Sequence, residues 1–217
     1  METVVARLLH SPKLFFYYQE LHDAVEQEQA RRRQFYATMT EQEKIEFING
    51  EIVRQSPVTI EHDFASGNLY ALLRTYVMFH DLGYVGHEKM LVSLTRNDYE
   101  PDVCYWRKAT ADAFRKGQMH FPAPDFVAEV LSPSTTEIDR HTKFKDYAAH
   151  GVQEYWIIDP VPEVVEQYIL RGKRYELIQK TDSGMLRSPV VEGFQIPAVA
   201  LFKQAEYLRM LREITGN

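Results

Sequence analysis

PDFVAEVLSPSTTEIDRHTKFKDYAAHGVQEYWIID, residues 124–159, is the stretch whose reading decides the fold. Its opening run is apolar on both faces apart from one acid, Glu129, as expected for a strand at the centre of a sheet. Ser134-Thr135-Thr136-Glu137 follows as a capping-box pattern, and the helix it starts runs to Gly151, a residue suited to ending one. VQEYWIID then reads as a second strand. Strand, helix and strand in this order imply an α/β or α+β domain with helices packed on a mixed sheet.

Upstream, YVGHEKMLVSL (84–94) and PDVCYW (101–106) read as further strands. Before them, TIEHDFASGNLYALLRTYVMFHDLG (59–83) carries Phe64, Leu69, Leu72, Leu73 and Val77 on one helical stripe and ends at Gly83. EKIEFINGEIVRQ (43–55) sets two apolar-rich segments around Asn49-Gly50, a dipeptide suited to the positive φ angles of a type I′ turn, and predicts a β-hairpin. A second hairpin is expected where VVEQYIL and KRYELIQK flank Arg171-Gly172, and ALFKQAEYLRMLREI (200–214) reads as a terminal helix. Residues 11–39 carry Leu14, Tyr17, Tyr18, Leu21 and Val25 at helical spacing ahead of the charged run EQEQARRR. These features divide the chain into an N-terminal helical element, 1–40, and a main domain, 41–217, with hairpins at the sheet edges.

The 217 residues suit one such domain, and a hydrophobic fraction of 45% is ample for its core. Apolar runs are too short to cross a bilayer, and the N-terminus lacks a basic region ahead of its apolar one, so the expected location is the cytoplasm, with no membrane partner. One cysteine makes no internal disulfide. The net charge of −6 excludes the broad positive field of a protein that coats nucleic acid, so any nucleic-acid site must be local. No Gly-rich phosphate loop is present, which argues against Walker-type or Rossmann-type nucleotide binding.

The chemistry centres on Asp102 and Glu129, acids on two predicted core strands. A lone buried carboxylate loses several kcal/mol of hydration. If the strands are neighbours, both side chains reach one hard, oxygen-preferring cation such as Mg²⁺ or Mn²⁺. The alternative is that each acid caps a strand end or pairs with a surface Lys or Arg.

Taken in order, FINGEIV, Ser56-Pro57 with a following His62, Pro101-Asp102, EVLSPS (129–134), Asp139, Lys143, Tyr147 and GVQEYW (151–156) resemble the Uma-type family of restriction endonucleases, part of the PD-(D/E)xK nuclease superfamily. The resemblance runs from about Ile45 to Phe202. It implies a restriction-endonuclease-like fold, a four-stranded mixed sheet between helices, with a catalytic set of Asp102, Glu129 and a lysine. The superfamily pattern would place that lysine two residues after the glutamate, where this chain has Leu131; the resemblance moves it to the following helix, at Lys143, and suggests His62 as an accessory to metal or water. Phosphodiester hydrolysis would follow, with Asp102 and Glu129 as metal ligands, Mg²⁺ or Mn²⁺ as cofactor and nucleic acid, DNA first, as substrate. A homodimer is one arrangement, because cutting both strands needs two sites. The competing reading is an inactive nuclease-like fold that binds nucleic acid or a protein partner.

Several other residues receive lesser roles. Lys143 and Lys145 point about 200° apart on an α-helical wheel, so only one can face the site. Glu46 and Glu51 flank the hairpin turn and are expected to face solvent. Asp139 sits at ion-pair spacing from Lys143, Tyr147 is expected to pack, with a hydrogen bond near the site as the alternative, and Glu61 lies beside His62. Cys104, Tyr155 and Trp156 read as core, and Arg31, Arg32 and Arg33 as a solvated helix face.

Overall fold

The computed structural model describes residues 3–40 and 43–216. Two N-terminal helices, α1 (Val4–Leu9) and α2 (Leu14–Thr38), precede the hairpin β1 (Ile45–Ile48) and β2 (Glu51–Arg54), then the long helix α3 (Ile60–Phe79). Next come β3 (Gly83–His87), β4 (Leu91–Ser93), β5 (Asp98–Tyr99), β6 (Val103–Arg107), the single turn α4 (Lys108–Ala111), β7 (His120–Phe121) and β8 (Phe126–Val130). A π-helical turn (Ile138–Lys143) leads into α5 (Phe144–Ala149) and β9 (Glu154–Asp159). The chain closes with β10 (Val164–Arg171), β11 (Arg174–Thr181), β12 (Met185–Arg187), β13 (Gln195–Pro197), a 3-10 turn (Ala198–Leu201) and α6 (Gln204–Thr215).

The main sheet runs β11-β10-β9-β8-β6-β3, with β8 and β9 parallel and the other pairs antiparallel. The expected mixed fold is present, but the sheet has six strands where four were expected, because the β10–β11 hairpin extends it. A second sheet, β2-β1-β5-β4-β7, carries the first hairpin at its edge, and β12 pairs with β13. β8 is buried along its whole length because both faces are covered. Phe126, Ala128 and Val130 join the core with Leu69, Leu72 and Leu73 of α3, while Val127 packs on the other face with Tyr147 of α5 and Tyr155 of β9. Glu129 therefore points towards α5, by strand alternation. Among the described residues no helix is long and apolar enough to cross a membrane.

Local departures from the sequence reading have identifiable causes. Asn49 and Gly50 both take positive φ, as the hairpin reading required, whereas the second hairpin turns at Gly172-Lys173, since Arg171 pairs with Arg174. Residues 84–94 do not form one strand: the chain turns at Glu88, φ 59°, and passes from the main sheet to the second. Phe64 is exposed, and Ala65 takes its expected place in the core. Helix α3 ends at Phe79, ahead of Gly83. Gly83 instead opens β3 at φ 143°, where a Cβ would overlap the Trp106 carbonyl oxygen of β6. Ser134 does not cap the helix after β8; its hydroxyl meets that of Ser132, and the first turns are partly π-helical.

Candidate active site

Asp102 stands one residue ahead of β6, and the β6–β8 register, Val103 opposite Ala128, brings it across from Glu129. The two acids are buried and joined through the backbone: Asp102 N–H donates to Glu129 Oε2 at 3.3 Å, and Val130 N–H donates to Asp102 Oδ2 at 2.8 Å. His62, in the first turn of α3, sets its Nε2 3.2 Å from Asp102 Oδ2. Lys44, just before β1, reaches Asp102 Oδ1 at 2.7 Å and Glu88 at 2.9 Å.

Lys143 comes in from the opposite side. Its Nζ lies 3.0 Å from Glu46, 3.1 Å from Glu129 and 3.2 Å from Asp139. Tyr147, four residues further on, donates its hydroxyl to the same Glu129 Oε1 at 3.0 Å. The π-helical turn ends at Lys143 and α-helical spacing resumes behind it; such insertions recur at functional sites. Lys145 is exposed and lies outside the cluster.

The expectation that Glu46 faces solvent is overturned. It is fully buried, accepting from Glu100 N–H at 2.9 Å and from the Gln55 amide at 2.9 Å besides meeting Lys143. β1 lies between β2 and β5 and is covered on both faces, with Ile45 and Phe47 against Phe35 of α2 and Glu46 turned inward. Glu51 and Glu61 are exposed, as is Arg33. Arg31 and Arg32 are not a solvated face: Arg31 donates to the Gly50 carbonyl, and Arg32 clasps the buried Asp98 with contacts of 2.6 and 2.8 Å. Cys104, Tyr155 and Trp156 are buried in the core. Lys44 was missed as a site residue and Glu46 was ranked only as a weaker candidate; Glu46 stands directly before the FINGEIV block, whereas no spacing rule marks Lys44.

The electrostatics are uneven. Burial disfavours the Asp102 carboxylate, but the His62 hydrogen bond and the Lys44 charge outweigh it and hold the group well below the usual range. Burial, reinforced by Asp139, Asp102 and Glu46, pushes Glu129 up to about 8 against the pull of Lys143. Burial also opposes charging of Lys143, yet its carboxylates prevail and keep it an ammonium. His62 is raised for the same reason, Asp102 overcoming burial. Burial raises the Tyr147 phenol, so it remains a donor.

Among the described residues no three His, Cys, Asp or Glu side chains form a ready metal cage. A two-carboxylate site nevertheless fits Mg²⁺, which keeps several waters and takes one or two protein carboxylates. Glu46, Asp102, Glu129 and Asp139 are buried against two lysines, one of them shared with Glu88, so ionisation of the carboxylates leaves negative charge that a divalent cation would offset. Asp102 Oδ1 and Glu129 Oε2 each meet one partner among the described residues, which leaves a lone-pair direction on each. Between them and Lys143 lies a cavity of about 10 Å³, room for one water-sized particle. His62 and Asp139 both line it; among the described residues His62 Nδ1 is buried without a hydrogen-bond partner, and Asp139 Oδ1 meets only the Lys143 ammonium.

Comparisons with known proteins agree with this architecture. The Uma2 family model, described as "Putative restriction endonuclease", matches residues 28–199. An uncharacterised protein of Synechocystis sp., sll1609, is 32% identical over 144 residues, covering 63% of this chain and 77% of that relative. The crystal structure of a "putative nuclease belonging to DUF820" from Anabaena variabilis superposes with a TM-score of 0.66 at 16% identity, covering 82% of this chain and 96% of that one. At that identity the likeness carries the fold alone.

Proposed function

This chain belongs to the Uma2 family, and from that premise we propose that it is a divalent-metal-dependent phosphodiesterase that cuts nucleic acid, DNA first. The observation that carries the reading is the convergence of Asp102, Glu129 and Lys143 on one small cavity. Asp102 and Glu129 would hold Mg²⁺ or Mn²⁺. The chemistry such a cation supplies is Lewis-acid polarisation of a phosphoryl oxygen and activation of a water.

The chain's own groups divide the remaining work. Lys143 stays charged among its carboxylates, which suits it to stabilising negative charge and to orienting Glu129 rather than to abstracting a proton. Tyr147 fixes the same Glu129 oxygen from the other side. His62 orients Asp102 through Nε2, and its buried Nδ1, without a hydrogen-bond partner among the described residues, is left for a water or substrate. Lys44 is the less enclosed of the two lysines, 16% exposed against 2%, and is the cation that an incoming phosphate meets at the mouth. Cutting both strands of a duplex needs two such sites, hence two copies.

Nicking of supercoiled plasmid in Mn²⁺, with and without excess EDTA, tests the activity. Calorimetric titration of wild type and Asp102→Asn with Mn²⁺ tests the ligands. Cleavage should stop in EDTA and the variant should lose Mn²⁺ affinity. Undiminished cleavage in EDTA, or equal Mn²⁺ binding by the two proteins, would overturn the proposal.

A further inference from the structure

Helix α2 is continuous over 25 residues, but its two halves meet different surroundings. In the second half Glu28, Arg32 and Phe35 lie on one stripe and hold the helix to the body. Glu28 pairs with Arg96 at 2.7 Å, Arg32 with Asp98 at 2.6 Å, and Phe35 packs on Phe47. Traced backwards with the same alternation of three and four residues, the stripe continues through Val25, Leu21, Tyr18 and Leu14, the a/d pattern of a helix seam. These four side chains are 51, 59, 59 and 39% exposed. Leu21 and Val25 border an open groove of about 500 Å³ between α2 and Thr95-Arg96.

We infer that a second copy of this chain occupies that face, α2 lying antiparallel on α2, as the interface of a homodimer. Three features select this occupant. The first is self-complementarity: about a twofold axis between Gln19 and Glu20, Tyr18 meets Leu21 and Leu14 meets Val25, apolar on apolar, each pair made twice. A parallel pairing would crowd the two bodies together, since each is held at the same end of α2 through Glu28, Arg32 and Phe35.

The second is area. Leu14, Phe15, Tyr18, Leu21 and Val25 offer about 100 Å² apiece, and because homodimer interfaces are about two-thirds apolar, this corresponds to roughly 800 Å² per partner, the standard size. The third is continuity, since the stripe already buried against the body is the one left open further out. The family match starts at residue 28, so this overhang precedes the shared domain, and the inference does not rest on the nuclease reading.

Light scattering and sedimentation of the full chain test it without any cleavage assay. The wild type should be a dimer with a Kd of about 1 µM or tighter. Leu21→Glu sets two acids in the seam and should raise that Kd by about 100-fold or more, with circular dichroism unchanged because the position is exposed. Tyr18→Cys mixed with Leu21→Cys should form a disulfide-linked pair faster than either variant alone, and the buried Cys104 does not compete. A wild type that stays monomeric at about 100 µM overturns the inference. So does a Leu21→Glu dimer of unchanged affinity, an absence of preferred 18–21 crosslinking, or a monomer whose Leu21 face binds anionic lipid vesicles instead.

Discussion

Replacing Lys143 by Met removes a buried ammonium group while keeping much of its volume, so it separates charge from packing. The wild-type Nζ lies within 3.2 Å of Glu46, Glu129 and Asp139, and the residue is 2% exposed. Removing one partner of such a buried set costs about 3–5 kcal/mol, because the remaining charges lose their compensation. At about 2–4 °C per kcal/mol for a domain of this size, the melting temperature should fall by roughly 6–20 °C. Mn²⁺ should restore part of that loss, since it returns positive charge to the same carboxylates. Nicking should drop by about 100-fold or more, as when one group that stabilises developing charge is removed. Lys145→Met is the control: exposed, it should melt and cut like wild type. Thermal melts with and without Mn²⁺, followed by plasmid nicking, measure both effects. A Lys143→Met protein that melts and cuts like wild type would refute the reasoning, as would loss of cleavage in Lys145→Met alone.

Three further outcomes are expected. Burial opposes ionisation of Glu166, but hydrogen bonds from Arg140, Tyr168 and Lys180 outweigh it and hold its pKa down to about 2. Its contribution is therefore complete above the unfolded value near 4.5 and is lost as pH falls towards 2. Urea melts should show wild type ahead of Glu166→Gln by about 1–2 kcal/mol at pH 6, screened because Lys180 faces solvent, with the gap closing by pH 2. Gly83→Ala pushes a Cβ into the Trp106 carbonyl at a positive φ, and should cost about 3 kcal/mol or more by the same melts. A chain beginning at residue 27 should keep the stability that the wild type shows when diluted to monomer, whereas one beginning at residue 40 loses Arg32 from the buried Asp98 and should melt lower by about 3–5 kcal/mol in stability; equal melting of the two would show that α2 does not brace the body.

Much of the fold follows from sequence periodicity. The apolar run at 126–130, the hairpin at Asn49-Gly50 and the stripe Leu69, Leu72, Leu73 and Val77 each obey a local rule, and each element formed where its rule placed it. Glu129 was legible as an acid in a core strand, and Asp102 as one at a strand's start, because a charge among apolar residues stands out within a short window. The β6–β8 register decided that they face each other, and register depends on which strands pair. Glu46 was misread because an acid beside a turn looks solvent-exposed until the second sheet and α2 are known to cover both faces of β1. Lys44, far from Asp102 along the chain, carried no local signal at all. The wheel separated Lys143 from Lys145 without showing which turned inward; packing of α5 on β8 and β9 made that choice. Periodicity reports what each segment does with its own faces, whereas a charged cluster is built by long-range neighbours, and only the packed chain brings those together.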